Sequence, residues 1–149
     1  MQRVPRSIGE RRVFIDTSAF LALIARNDSQ HISATTTFER LRIGSFQPVS
    51  TKFVIVESHA AILATVGPDA AREFLRGMAQ SATSLIRTLP ADEDRALEII
   101  FTYRDKEYSL CDALSFALME RLGIRLAFAY DDHFRQHGFL IPHSDRPWP

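Results

Sequence analysis

Four carboxylates, Asp16, Glu57, Asp112 and Asp131, stand inside or beside the apolar runs VFID, FVIVE, SLCDALSF and LAFAYD. Ionised side chains are seldom buried unless a cation pairs with them or they coordinate a metal. If the fold brings the four together, they make an acidic pocket suited to Mg²⁺ or Mn²⁺. Such a centre acidifies a bound water and stabilises charge on a phosphodiester. Taken singly, three of the acids have ordinary explanations. Asp16 follows a strand and precedes a helix, where an acid accepts backbone N–H groups and complements the helix dipole. Asp112 lies three residues after Ser109, the spacing of a capping box, and Asp131 or Asp132 can cap a short final turn. Glu57 is different, because the stretch from Phe53 to Leu63 is apolar nearly all round, as a buried helix is. A carboxylate there calls for a cation, or else for a solvated edge of the helix.

Other constellations carry less. His133 and His137 at i, i+4 share one helix face, and with Cys111 they suggest zinc, but structural zinc sites show two close ligand pairs and this chain has one. Both histidines therefore read as residues of an exposed helix, and His31, His59 and His143 have no partner spacing. Cys111 precedes an acid, which raises a thiol pKa and argues against a nucleophile. No glycine-rich phosphate loop is present, which argues against a nucleotide-binding ATPase or a dehydrogenase. A phosphoacceptor domain would need paired acids after the first strand and a lysine after the last, and neither is found.

The elements that must position these acids alternate in type. Strands are predicted at Arg12 to Ile15, Pro48 to Ser50, Ser84 to Leu89 and Leu126 to Tyr130, with a further candidate at Phe139 to Ile141. Helices are predicted over Ala19 to Arg26, from Asp28 or Ser29 to Ile43, Lys52 to Val66, from Asp69 or Pro68 to Met78, Asp92 to Tyr103 and Ser109 to Leu122, with a helical turn over Asp131 to His137. Ile32, Phe38 and Leu41 are the expected inward face of the second helix, and Phe74, Leu75 and Met78 that of the fourth. Strands separated by helices imply right-handed crossovers. The expected fold is α/β, a three-layer α/β/α sandwich with a mostly parallel sheet of four to five strands. Ligands in such sheets gather beyond the carboxyl ends of the strands, where Asp16 and Asp131 fall.

A chain of 149 residues that is 46% hydrophobic and 24% charged can bury a core without disulfides or structural metals. We expect a basic, flexible arm over residues 1–12, one domain over 13–142 and a proline-rich tail over 143–149. No apolar run reaches the roughly 20 residues of a membrane span. One cysteine points to a reducing compartment and a cytoplasmic protein. The net charge of zero argues against a uniformly basic nucleic-acid coat. Yet only Lys52 and Lys106 of the 18 basic residues are not arginine, and the arginine fork suits phosphate. Phe46, Tyr103, Tyr108 and Phe134 are available to stack on bases.

The segments FIDTSAFLALI, VIVESHAAIL, YSLCDALSFALMERLGI and AFAYDDHFRQHGF resemble, in order and spacing, the four acidic motifs of the PIN domain, and in particular the VapC-type toxins of type II toxin–antitoxin pairs. The likeness runs from about Val13 to Ile141. It implies a metal-dependent endoribonuclease on an α/β/α sandwich, with Asp16, Glu57, Asp112 and Asp131 as both catalytic and metal-binding acids and Mg²⁺ or Mn²⁺ as cofactor. Asp131, aligned by the pattern D-x-H-F, is preferred to Asp132. The implied partners are an RNA substrate, a small cognate antitoxin and a second copy of the chain in a homodimer, with no membrane. A housekeeping RNA-processing nuclease and a catalytically silent binding module remain as alternatives. Where the family often has a hydroxyl or amide residue just before the last acid, this chain has Ala129 and Tyr130.

Overall fold

The computed structural model describes residues 11–143; all but the first residue of the expected tail and all but the end of the expected arm lie outside them. Strands β1 (Arg12–Ile15), β2 (Gln47–Ser50), β3 (Ser84–Leu85) and β4 (Leu126–Phe128) alternate with helices α1 (Thr17–Ile24), α2 (His31–Ile43), α3 (Lys52–Thr65), α4 (Pro68–Gln80), α5 (Pro90–Thr102), α6 (Leu110–Leu122) and α7 (His133–Gln136). The strands form one sheet in the order β3-β2-β1-β4, and every pair in it is parallel. This is the expected α/β architecture with four strands. Residues Phe139 to Ile141 contribute an isolated bridge from Leu140 to Leu126 and no strand; Pro142 follows at once and has no N–H to extend a ladder.

The chain steps from β1 to β2 to β3 in one direction and then returns past β1 to reach β4. Right-handed connections therefore put α1 to α4 on one face and α5 and α6 on the other. The packing agrees, since α1 contacts α2 and α3, α3 contacts α4, and α5 contacts α6. The strand order reverses between β1 and β4, which makes the crevice outside their carboxyl ends the switch point of the sheet.

β1 is central, with Val13, Phe14 and Ile15 fully buried. The helix buried nearly all round is α6, where all eight residues from Asp112 to Met119 are buried between the sheet and α5. Gly123 caps it with φ of 67°, a left-handed turn that glycine adopts without a Cβ penalty. By contrast α3 buries one stripe, Val54, Ile55, Ser58 and Ile62, while Phe53, Val56 and Leu63 are exposed. The expectation of a fully buried third helix is overturned, because apolar composition does not tell a helix packed on two sides from one packed on a single side. In α2 the predicted inward face is likewise corrected: Leu41 is buried, Ile32 is 81% exposed and Phe38 lies at the surface. In α4 Phe74 faces the core and Leu75 does not.

Candidate functional site

β1 ends at Ile15 opposite Phe128 of β4, and the N–H of Asp16 extends that ladder to the Phe128 carbonyl at 3.1 Å. Asp16 is the N-cap of α1; its side chain accepts the Ser18 N–H at 3.2 Å and the Ser18 hydroxyl at 2.8 Å. Ser18 Oγ in turn accepts the N–H of Tyr130 at 2.9 Å. A hydroxyl from α1 thus ties the first acid to the loop that carries the last one, across the β1–β4 switch point. Asp131 follows three residues after the end of β4.

Asp112 reaches the same place from the opposite face. It is the third residue of α6, which runs back along the sheet toward the start of β4, so the first turn of the helix lies at the carboxyl ends of the strands. The capping box is complete: Asp112 N–H donates to Ser109 Oγ and Ser109 N–H to Asp112 Oδ2, both at 3.0 Å. The capping and chemical readings of this residue are therefore compatible. Oδ2 carries the cap, and among the described residues no hydrogen bond falls on Oδ1.

His133, at the start of α7, completes the cluster. Its Nδ1 lies 2.7 Å from Asp112 Oδ2, and its backbone N–H donates to Asp131 Oδ1 at 3.1 Å. Ligand atoms of Asp112, Asp131 and His133 all lie within 4.8 Å of one another, a spacing that one cation can bridge. The reading of His133 as a plain surface histidine is overturned. Its chain neighbour at i+4, His137, belongs elsewhere, stacked on Phe116 with ring centroids 4.5 Å apart and 3.1 Å from Glu120. The zinc grouping of both histidines with Cys111 does not form. The signal for His133 was present in the sequence as the D-x-H-F pattern, where it served only to align Asp131.

The doubled acid separates in space. Asp131 is half-buried within the cluster, whereas Asp132 is exposed and pairs with Arg135 at 2.8 Å. Asp16 is 2% exposed; burial, then the Asp131 carboxylate and, more weakly, Asp112 raise its pKa to about 8 against the opposing bonds from Ser18. A buried acid crowded by two others is the electrostatic signature of a site that gains from a cation.

Glu57 is not among the three residues whose ligand atoms gather within 4.8 Å. It is exposed on α3, the solvated-edge position, and the helix is registered by Ser58, which is fully buried and donates to Thr17 Oγ1 at 3.3 Å. The Cys111 thiol is within hydrogen-bonding reach of Glu57 and also feels the charges of Asp16 and Asp112. Burial pushes its pKa above the ordinary range, and Glu57, Asp16 and Asp112 push it further, which argues against a nucleophilic role. Glu57, exposed on α3, therefore meets the rim of the cluster at Cys111. Of the aromatic residues expected to stack on bases, Phe134 and Tyr108 are buried and Phe46 packs partly against the core, while Tyr103 is 38% exposed. A cleft of about 360 Å³ opens beside Asp131, lined among others by Gln30, Ser33, Tyr130 and Arg135.

A parallel α/β sandwich with three aspartates gathered at its switch point matches a known family. The chain belongs to the PIN domain family, whose model matches residues 13–140. Among curated relatives it is 30% identical over 134 residues to the 23S rRNA-specific endonuclease VapC20 of Mycobacterium tuberculosis, covering 86% of this chain and 95% of the relative. The crystal structure of that protein, a toxin that cleaves the sarcin–ricin loop, superposes with a TM-score of 0.78 at 27% identity over 88% of this chain and 98% of its own. PAE2754 from Pyrobaculum aerophilum shares the fold, with a TM-score of 0.61 at 15% identity over 91% of this chain and 92% of its own. Among the described residues no helix is long and apolar enough to cross a membrane.

Proposed function

We propose that this protein is a metal-dependent endoribonuclease, the toxin of a toxin–antitoxin pair, and that Asp16, Asp112, Asp131 and Glu57 carry its chemistry. The observation that supports this most is the meeting of Asp112, Asp131 and His133 within 4.8 Å beside the buried Asp16, at the switch point of a fold shared with a 23S rRNA-specific endonuclease. Carboxylate oxygens and a constrained histidine fit a small divalent cation, Mg²⁺ or Mn²⁺. When bound, such an ion acidifies water and offsets charge on the scissile phosphate.

The chain's own residues do the rest. Asp112 offers Oδ1 while its Oδ2 is fixed by Ser109, so that the carboxylate is oriented before any ligand arrives. Asp16 is aligned by Ser18, and its carboxylate is favoured once positive charge offsets the repulsion from Asp131. Asp131 supplies the third acid, directly or through water. Glu57, on the rim and solvated, positions the attacking water and accepts its proton at a carboxylate oxygen. The cleft beside Asp131, with Tyr130 and Arg135 on its wall, has room for a nucleotide next to the scissile phosphate.

RNA is the substrate by likeness to VapC20, and an rRNA hairpin loop is the first to try. A small antitoxin protein is the proposed partner, and a homodimer the proposed assembly. Incubating the purified chain with a sarcin–ricin loop RNA, with and without Mg²⁺ or Mn²⁺, tests the enzymatic reading. Cation-dependent scission supports it, and intact RNA after exposure to this loop and to total cellular RNA counts against it. Expression of the chain alone should arrest bacterial growth; unimpaired growth favours a housekeeping nuclease.

A further inference from the structure

We infer that His133 is a direct ligand of the divalent cation and that its imidazole biases the site toward a transition-metal ion such as Mn²⁺ over Mg²⁺. This rests on the metal-dependent reading above and extends it beyond the four acids. Three observations carry it. His133 touches both aspartates through different atoms, Nδ1 on Asp112 and the backbone N–H on Asp131, so it is part of the cluster and not merely adjacent to it. Its ligand nitrogen falls within the 4.8 Å group. The ring also stands edge-on to Tyr108 with centroids 5.6 Å apart, and its side chain is 29% exposed, so it is held in place while still open to the site.

Mg²⁺ is hard, holds its waters and takes oxygen ligands, whereas an imidazole nitrogen is a borderline donor that later divalent ions accept more readily. A site made only of carboxylates discriminates little on this ground. Replacing one oxygen by a ring nitrogen adds discrimination. The structural alternative is a histidine that only donates to Asp112 and orients it. Asparagine separates the two, because His133→Asn keeps a side-chain N–H for Asp112 and removes the imidazole.

The test uses the full chain, stripped of metal and titrated with MnCl₂ or MgCl₂ by calorimetry. Bound Mn²⁺ is then examined by pulsed electron paramagnetic resonance in protein with natural or ¹⁵N-labelled histidine. We expect a histidine nitrogen coupled to Mn²⁺ in the wild-type protein, its loss in His133→Asn, and a fall of about tenfold in Mn²⁺ affinity with a much smaller change for Mg²⁺. Bound Mn²⁺ with no histidine coupling in the wild-type protein, or a coupling that persists in the variant, overturns the assignment and leaves the carboxylate site standing. Failure to bind either ion overturns this inference and the metal-dependent reading together. The wild-type spectra decide the question even if the variant does not fold.

Discussion

The hydroxyl of Ser18 donates to Oδ2 of Asp16 at 2.8 Å while accepting the Tyr130 N–H at 2.9 Å. One small side chain thereby links the acid after β1 to the loop after β4. Ser18→Ala leaves the Tyr130 N–H without that acceptor and Asp16 without its alignment. The expected result is a loss of about 1 kcal/mol in denaturant unfolding, together with cleavage that needs a higher Mg²⁺ concentration. Unchanged metal dependence would show that the bridge is structural only.

Protonation of Asp16 sets a second expectation. Its folded-state pKa is raised from 3.8 to about 8, by burial first and by Asp131 next, so between those values the metal-free folded state holds a proton that the unfolded chain releases. The stabilisation is complete below the unfolded value and is lost as pH rises toward about 8. The melting temperature of metal-free protein should fall from pH 5 to pH 8. Asp16→Asn should flatten that slope, and added Mg²⁺ should restore stability at the alkaline end. A flat wild-type profile contradicts the burial argument.

Arg121 clasps Asp92 through two bonds of 2.8 and 2.9 Å, and Asp92 also accepts the Leu89 N–H at 2.8 Å. The arginine holds the Asp92 carboxyl below its usual range, so this stabilisation is present above pH 3.8 and is lost as pH falls through the depressed value. Arg121→Ala strands a carboxylate that is 2% exposed between α5 and α6. We expect a loss of about 2 kcal/mol, tempered by the partial exposure of the arginine, with metal affinity unaltered. Equilibrium unfolding and calorimetry measure the two separately.

Glu57 should behave unlike the aspartates. Because Glu57 is exposed on α3 and outside the 4.8 Å group, Glu57→Gln should leave cation binding within about twofold while lowering kcat by about 10²-fold, in line with loss of a proton acceptor. A large fall in metal affinity would move Glu57 into the coordination sphere.

Much of the frame was legible because it depends on local chemistry. The strand at Arg12–Ile15, the Ser109–Asp112 box and the Gly123 stop each follow from one or two residues, and the alternation of strands and helices implies the parallel sheet. What failed depended on neighbours. β3 was predicted through Leu89 but ends at Leu85, because its one partner, β2, stops at Ser50 where Thr51 caps α3. The apolar sequence of α3 pointed to full burial, yet α3 exposes a face that no described element covers, and Glu57 with it. His133 has no visible partner in the sequence because the distance from α7 to α6 is a property of the folded chain; only the fold brings residues 112 and 133 to 2.7 Å.

Asp112 is where the capping role and the proposed chemistry separate most cleanly. Asp112→Asn keeps an acceptor at the cap and removes the charge. Single-turnover cleavage of a sarcin–ricin loop RNA by the wild-type protein and by this variant, in Mg²⁺ and again in excess EDTA, measures the consequence directly. We expect scission by the wild-type chain that EDTA abolishes and a loss of at least about 10³-fold in the variant, with both proteins melting within a few degrees of each other. Equal rates for the two proteins, or cleavage that persists in EDTA, would contradict a metal-dependent acidic site.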